Sequence, residues 1–232
     1  MTFSSGGWTL PSLGGMPDEP QWSNWCVGDL RYRVIPRGNE PRWFNPNTAT
    51  DPNNSLEGGR FHPFATSVGA RVPTLYTASS LKAAIVESLL HDLSSTPLEH
   101  PYSLSMSRVA QYQFTVLVPR IELRLIDLTG AGADCVRIPN ELISWCLRRD
   151  YPVSRAAAKL LHTKYGTAQG IRWISRRYPP AECAVVFGDR VPHPEDALQV
   201  QAPNHRDLHL PGTVGYADLE GLMREAGVIP SP

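Results

Sequence analysis

The stretch from Val72 to His91 constrains the fold more than any other, because a strand pattern over Val72 to Thr77 runs almost directly into a helical one. Ser79 or Ser80 supplies an N-cap, and Leu81, Ile85 and Leu89 recur at helical spacing, so the pattern predicts a helix from Leu81 to about His91. A strand joined this closely to a helix points to helices packed on a sheet. Glu87 falls roughly opposite the apolar stripe, flanked by Ala83, Ala84 and Leu90, and these small neighbours leave space beside its carboxylate.

The rest of the chain repeats the two patterns. Leu30, Tyr32 and Val34 alternate with Arg31, Arg33 and Ile35, the reading of a half-buried strand that puts Arg33 on the face opposite Tyr32. Gln113 to Val118, Leu123 to Leu128, Gly170 to Ile174 and Cys183 to Phe187 read as further strands. Asn140 is expected to cap a helix running through Arg149, and Ser154 another running through Tyr165, stopped by Gly166 in a left-handed conformation. A late helix is expected from Tyr216 to Ala226. With 41% hydrophobic residues the chain can bury a core, and one α+β domain is expected. Residues 1–27, rich in Gly, Pro and Ser with isolated Trp8 and Trp22, read as an N-terminal extension, 28–191 as the domain, and 192–232 as a Pro-rich extension with a short helix.

Charge and composition remove several function classes. Lys plus Arg and Asp plus Glu both number 22, so no global field draws in nucleic acid or an acidic membrane. No apolar run is long enough to span a bilayer and the N-terminus has no signal-peptide pattern, which makes the cytoplasm the expected compartment. Cys26, Cys135, Cys146 and Cys183 are scattered and expected to be reduced and mostly buried; no metal site is expected. His205 and His209 have ligand spacing but are hemmed in by Pro203 and Pro211, so they are assigned to solvated surface. The chain has no G-x-S-x-G elbow, no phosphate-binding P-loop and no H-E-x-x-H helix, and Gly130-Ala131-Gly132 lacks the third glycine of a dinucleotide loop.

What remains is a loop, Gly58-Gly59-Arg60-Phe61, followed by Leu75-Tyr76-Thr77-Ala78-Ser79 and Glu87. Together they bring a cation, an aromatic ring and a carboxylate into one local unit, a set suited to a phosphorylated, positively charged ligand such as NAD. Taken singly, each has a plainer reading: paired glycines serve many turns, helix glutamates are usually solvated, and a strand tyrosine usually packs in a core.

The order Tyr32-Arg33-Val34, Gly58-Gly59-Arg60-Phe61, Leu75 to Ser79, Ala83 to Glu87 and Gly170-Ile171-Arg172-Trp173-Ile174-Ser175 resembles the RES-domain family, named for its arginine, glutamate and serine. The resemblance covers about Leu30 to Arg190 and departs from the usual pattern at His62 and at Trp173-Ile174-Ser175. It implies an ADP-ribosyltransferase-like mixed sheet with flanking helices, and an enzyme that cleaves the nicotinamide–ribose bond of NAD or transfers ADP-ribose to a protein. It further implies a toxin covered by an Xre-type antitoxin, or alternatively an effector with an immunity protein. Carried over to this chain, Glu87, Arg60 and Tyr76 are the implied catalytic residues, and Arg33, Ser175, Gly59 and Phe61 the substrate-binding ones. NAD would be substrate, with no other cofactor and no metal. A non-catalytic nucleotide-binding or partner-binding module is the alternative from a different class.

Overall fold

The computed structural model describes residues 4–5, 7–46, 58–91, 102–144, 147–201 and 206–232. Ser4–Ser5 (β1) and Trp8–Thr9 (β2) pair as a small antiparallel ribbon. Eight further strands build the main sheet: Trp22–Trp25 (β3), Arg31–Pro36 (β4), Thr74–Ala78 (β5), Tyr112–Pro119 (β7), Leu123–Asp127 (β8), Gly170–Ile174 (β9), Glu182–Phe187 (β10) and Leu198–Gln201 (β11). Their order is β11-β7-β4-β5-β10-β9-β8-β3, antiparallel throughout except at β8–β9. Ser103–Ser105 (β6) and Ile229–Ser231 (β12) pair in parallel apart from it. The helices are Leu81–Leu89 (α1), Met106–Val109 (α2), Ala131–Cys135 (α3), Asn140–Ser144 (α4), Tyr151–Lys164 (α5), Pro194–Ala197 (α6) and Val214–Glu225 (α7). This is the expected α+β class.

The sheet is covered on both faces, which explains why β10 is apolar nearly end to end rather than alternating. Cys183, Val185 and Phe187 face a core shared with Ala157, Ala158 and Leu161 of α5. Ala184 and Val186 face a second core with Trp25, Leu75 and Leu117. A third core joins Leu81, Ile85 and Leu89 of α1 to Leu219, Leu222 and Met223 of α7, so the late helix closes over the early one. Ser80 caps α1 as expected, its Oγ accepting from the Ala83 N–H.

Three expected boundaries are corrected. The helix from Asn140 is described over Asn140–Ser144, residues 145–146 lie outside the described residues, and it does not run through Arg149, because Arg148–Asp150 is a 3₁₀ turn in which Asp150 accepts from the Leu147 N–H. Ser154 is not a cap: α5 starts at Tyr151 with Pro152 in its first turn, where a missing N–H costs nothing. Gly166 is absent from the positive-φ glycines. Arg190 does its work instead, donating from Nη1 to the Tyr165 and Ala168 carbonyls at 2.7 and 2.9 Å and from Nη2 to the His162 carbonyl, so the last turn is closed by a guanidinium.

Both segments read as extensions also contribute strands. Trp22–Trp25 forms one edge of the sheet, with Trp25 fully buried, and Leu198–Gln201 forms the other. Of the cysteines, Cys26 is exposed rather than buried, Cys183 is buried, and Cys146 lies outside the described residues. His205 is likewise outside them, whereas His209 is half-buried with Nδ1 3.5 Å from Arg37 Nη2 rather than fully solvated.

Candidate active site

The cleft exists because β4 and β5 splay apart. They share a single register pair, Tyr32 with Ala78, whereas β4 pairs with β7 along its whole length, Arg31 to Pro36. The unpaired remainder opens a cavity of about 480 Å³ lined from both strands, inside the roughly 300–1,000 Å³ range of small-molecule sites. In an intact ladder Tyr32 and Arg33 would face opposite sides, as the alternation predicts; at the split both line the same space.

The Gly58–His62 loop enters this split with its conformation closely determined. Gly58 has φ +81°, and a Cβ there would lie 2.5 Å from the His62 carbonyl oxygen and 2.5 Å from Pro63 Cδ, so no side chain fits. Gly59 N–H donates to His62 O at 3.0 Å, closing the turn. The Phe61 N–H donates to Tyr76 Oη at 2.9 Å, and the Phe61 ring is fully buried edge-on to Trp173 at 4.8 Å. Helix α5 completes the support, with Ser154 Oγ donating to Arg60 O at 2.6 Å and Arg155 Nε to Gly59 O at 3.1 Å.

Arg60 and Glu87 meet inside the cavity. Arg60 Nη1 donates to Ile143 O at 2.9 Å, which leaves Nη2 3.7 Å from Glu87 Oε2. Its guanidinium carbon lies 5.9 Å from the Trp173 ring centre. On the other carboxylate oxygen, Ser175 Oγ donates to Glu87 Oε1 at 2.8 Å while accepting from the Tyr178 N–H. Glu87 is thereby oriented from two sides, by Arg60 of the cavity wall and by Ser175 behind it.

The expected site residues fall into two groups. Arg33, Gly59, Arg60, Tyr76 and Glu87 all line the cavity. Phe61 and Ser175 do not: both are fully buried, one supplying a backbone donor and the other a hydroxyl behind the carboxylate. Arg33 is partly committed as well, since Nη1 donates to Pro41 O at 2.8 Å and pins the loop that forms another wall. Burial lowers the Arg33 pKa to about 10, opposed by Glu40, and the group keeps its charge at neutral pH. Burial raises the Tyr76 phenol well above its ordinary range, so it stays a neutral acceptor for Phe61. His62, ring-to-ring with Tyr76 at 5.0 Å, is lowered to about 4 by burial and then by Arg155, and is therefore a neutral imidazole in the cavity wall.

The lining also contains residues that the sequence did not single out. Among the described residues, four arginines (Arg33, Arg60, Arg108 and Arg148) line the cavity, and Glu87 is its one carboxylate. Such a surplus of cations favours an anionic ligand. Arg108 and Arg148 carry no sequence signal, because a solvated arginine in a short helix or turn reads the same wherever the fold places it. Trp173 was visible only as part of the Gly170–Ser175 run.

A protein-family model described as the RES domain matches residues 31–211. Among solved structures the chain is similar to one in the crystal structure of the M. tuberculosis MbcT–MbcA toxin–antitoxin complex, at 18% identity and a TM-score of 0.47, covering 75% of this chain and 81% of that one. The search of curated proteins found no match.

Proposed function

The chain belongs to the RES-domain family, and from that premise we propose that it is an NAD-consuming toxin that cleaves the nicotinamide–ribose bond, with water or phosphate as acceptor. The observation that carries the reading is the Glu87 carboxylate, held by Ser175 and Arg60 in a cavity otherwise lined by cationic and neutral groups.

The chemistry asks for that combination. As the C1′–N bond breaks, its electron pair leaves with nicotinamide and positive charge develops on the ribose; the acceptor then adds to C1′ and loses a proton when it is water. A fixed carboxylate beside the ribose offsets the developing charge, and removal of one such preorganised group typically costs about 10²–10³ in turnover. The two negative charges of the pyrophosphate need cations that do not neutralise Glu87. Arg33, Arg108 and Arg148 supply them, while Arg60 stays with the carboxylate. Trp173 and Tyr76 give the flat, apolar border that a nicotinamide ring requires.

NAD is substrate in this reading, with no metal or further cofactor. The cell that makes the protein needs an antitoxin, of the Xre type for this family, and the site of action is the cytoplasm. No helix among the described residues is long and apolar enough to cross a membrane.

The test is release of free nicotinamide from NAD by the purified protein, with and without inorganic phosphate. Wild type should release it, and Glu87→Gln should lose about 10³-fold in turnover while still binding NAD in calorimetry. Binding without release by wild type would make the protein a nucleotide-binding module, and neither binding nor release would end the reading.

A further inference from the structure

We infer that Ser154 and Arg155 of α5 are positioning residues for Arg60, and that this helix, together with the Gly58 turn and the Ile143 carbonyl, sets where the guanidinium meets Glu87. The inference rests on the proposed activity for its kinetic consequence but not for its geometric one.

The Gly58–His62 loop carries its functional side chain directly after two glycines, residues whose backbones can adopt other conformations wherever nothing holds them. Such a loop holds one position only if its polar groups are tied down from outside. Those ties are specific. Ser154 Oγ donates to the carbonyl of Arg60 itself at 2.6 Å, the shorter of its two contacts, the other being the Tyr151 carbonyl of its own helix at 3.1 Å, and Arg155 Nε donates to the carbonyl of Gly59 at 3.1 Å. Both side chains are buried, with Ser154 at 0% and Arg155 at 3% exposure. A buried arginine inside a helix is costly unless it is hydrogen-bonded, and the serine hydroxyl bonds the loop at a shorter distance than the carbonyl of its own helix. These two sit on consecutive residues and hold consecutive carbonyls.

The consequence reaches the reacting groups through covalent structure. The Arg60 carbonyl is two bonds from the Cα that projects the guanidinium. Arg60 Nη2 is already 3.7 Å from Glu87 Oε2, at the long limit of an ion pair. A loop displacement near 1 Å would break that contact, and misplacements of this size cost on the order of 10²-fold in rate. Neither Ser154 nor Arg155 lines the cavity, so neither is placed to touch the ligand. The positive charge of Arg155 also helps keep His62 neutral.

A double-mutant cycle separates positioning from general support. Arg155→Met should lower kcat for nicotinamide release about 30- to 100-fold with KM within about threefold. In an Arg60→Ala background the same change should cost less than about threefold, because the group it positions is gone. Losses that multiply in the double variant would overturn the inference. If Arg155→Met does not fold, Ser154→Ala, which deletes one hydroxyl, takes its place in the same cycle.

A second readout does not need turnover. The Phe61 amide, which donates to Tyr76 Oη, should exchange at least about tenfold faster in either variant at unchanged global stability. If wild type releases no nicotinamide, the functional reading fails and this measurement alone decides the present one: unchanged Phe61 protection would overturn it.

Discussion

Ser175 Oγ donates a 2.8 Å hydrogen bond to Glu87 Oε1, although the two residues lie 88 positions apart and the serine is fully buried. The serine therefore contacts the carboxylate and does not line the cavity. Hydrogen bonds to a charged acceptor contribute about 1.5–3 kcal/mol. Ser175→Ala should lower nicotinamide release about 10- to 100-fold with NAD affinity nearly unchanged. A large loss of affinity at constant turnover would instead place the hydroxyl on the substrate.

Arg60 reaches in different directions, to Ile143 O and toward Glu87, and a forked guanidinium can serve both where a single ammonium cannot. Arg60→Lys keeps the charge and is expected to lose about 10²-fold in kcat/KM with its circular dichroism unaltered. Near-wild-type kinetics would show that charge alone suffices at this position.

At Gly58 the positive φ and the 2.5 Å approach of a Cβ to the His62 carbonyl act together. Gly58→Ala should destabilise the fold by about 1–3 kcal/mol, seen as a lower urea midpoint, and should reduce turnover by moving Arg60. Substitution at Gly14 or Gly221, where a Cβ meets nothing and φ is ordinary, should do neither.

His62 makes stability pH-dependent in a calculable direction. Its folded pKa of about 4 lies below the ordinary value near 6.5, so between these limits the unfolded chain binds a proton that the folded chain refuses. The contribution is complete above pH 6.5 and is lost as pH falls through about 4, a change of about 1–3 kcal/mol for this half-buried ring. His62→Gln should flatten that part of the profile when unfolding is compared at pH 7.5 and pH 4.5. An unchanged profile would mean the imidazole titrates normally in the fold.

Tyr76→Phe removes the acceptor of the Phe61 N–H and leaves a buried donor unpaired, at a cost of about 1–3 kcal/mol. Because burial raises the Tyr76 pKa, folding favours the protonated phenol, so its stabilising contribution is complete below about pH 10 and fades above it. The variant should lose stability at pH 8 and show a shallower alkaline decline than wild type.

Local patterns carried well wherever the responsible forces are local. The Ser80 cap and α1 lie where predicted, β9 spans Gly170–Ile174 as read, and β4 alternates with period two, though the face carrying Arg31, Arg33 and Ile35 is the more buried one and Tyr32 and Val34 are half-buried. Edge strands β3 and β11 were not read because four residues show too few alternations, and because their pairing partners, β8 and β7, lie far off in sequence. The end of α5 escaped for a related reason: Arg190, some 25 residues downstream, does what a glycine would have done locally.

The candidate site divides the same way. The order of the motifs in the chain singled out Arg33, Gly59, Arg60, Tyr76 and Glu87, and these all reach one cavity. Tertiary structure alone decided their roles: it turned Phe61 inward, set Ser175 behind Glu87, and brought Arg108 and Arg148 to the rim. A residue's type and neighbours set what it is able to bond. Whether it faces the ligand, the carboxylate or the core depends on where β4 and β5 part, and that is determined by packing summed over the whole sheet.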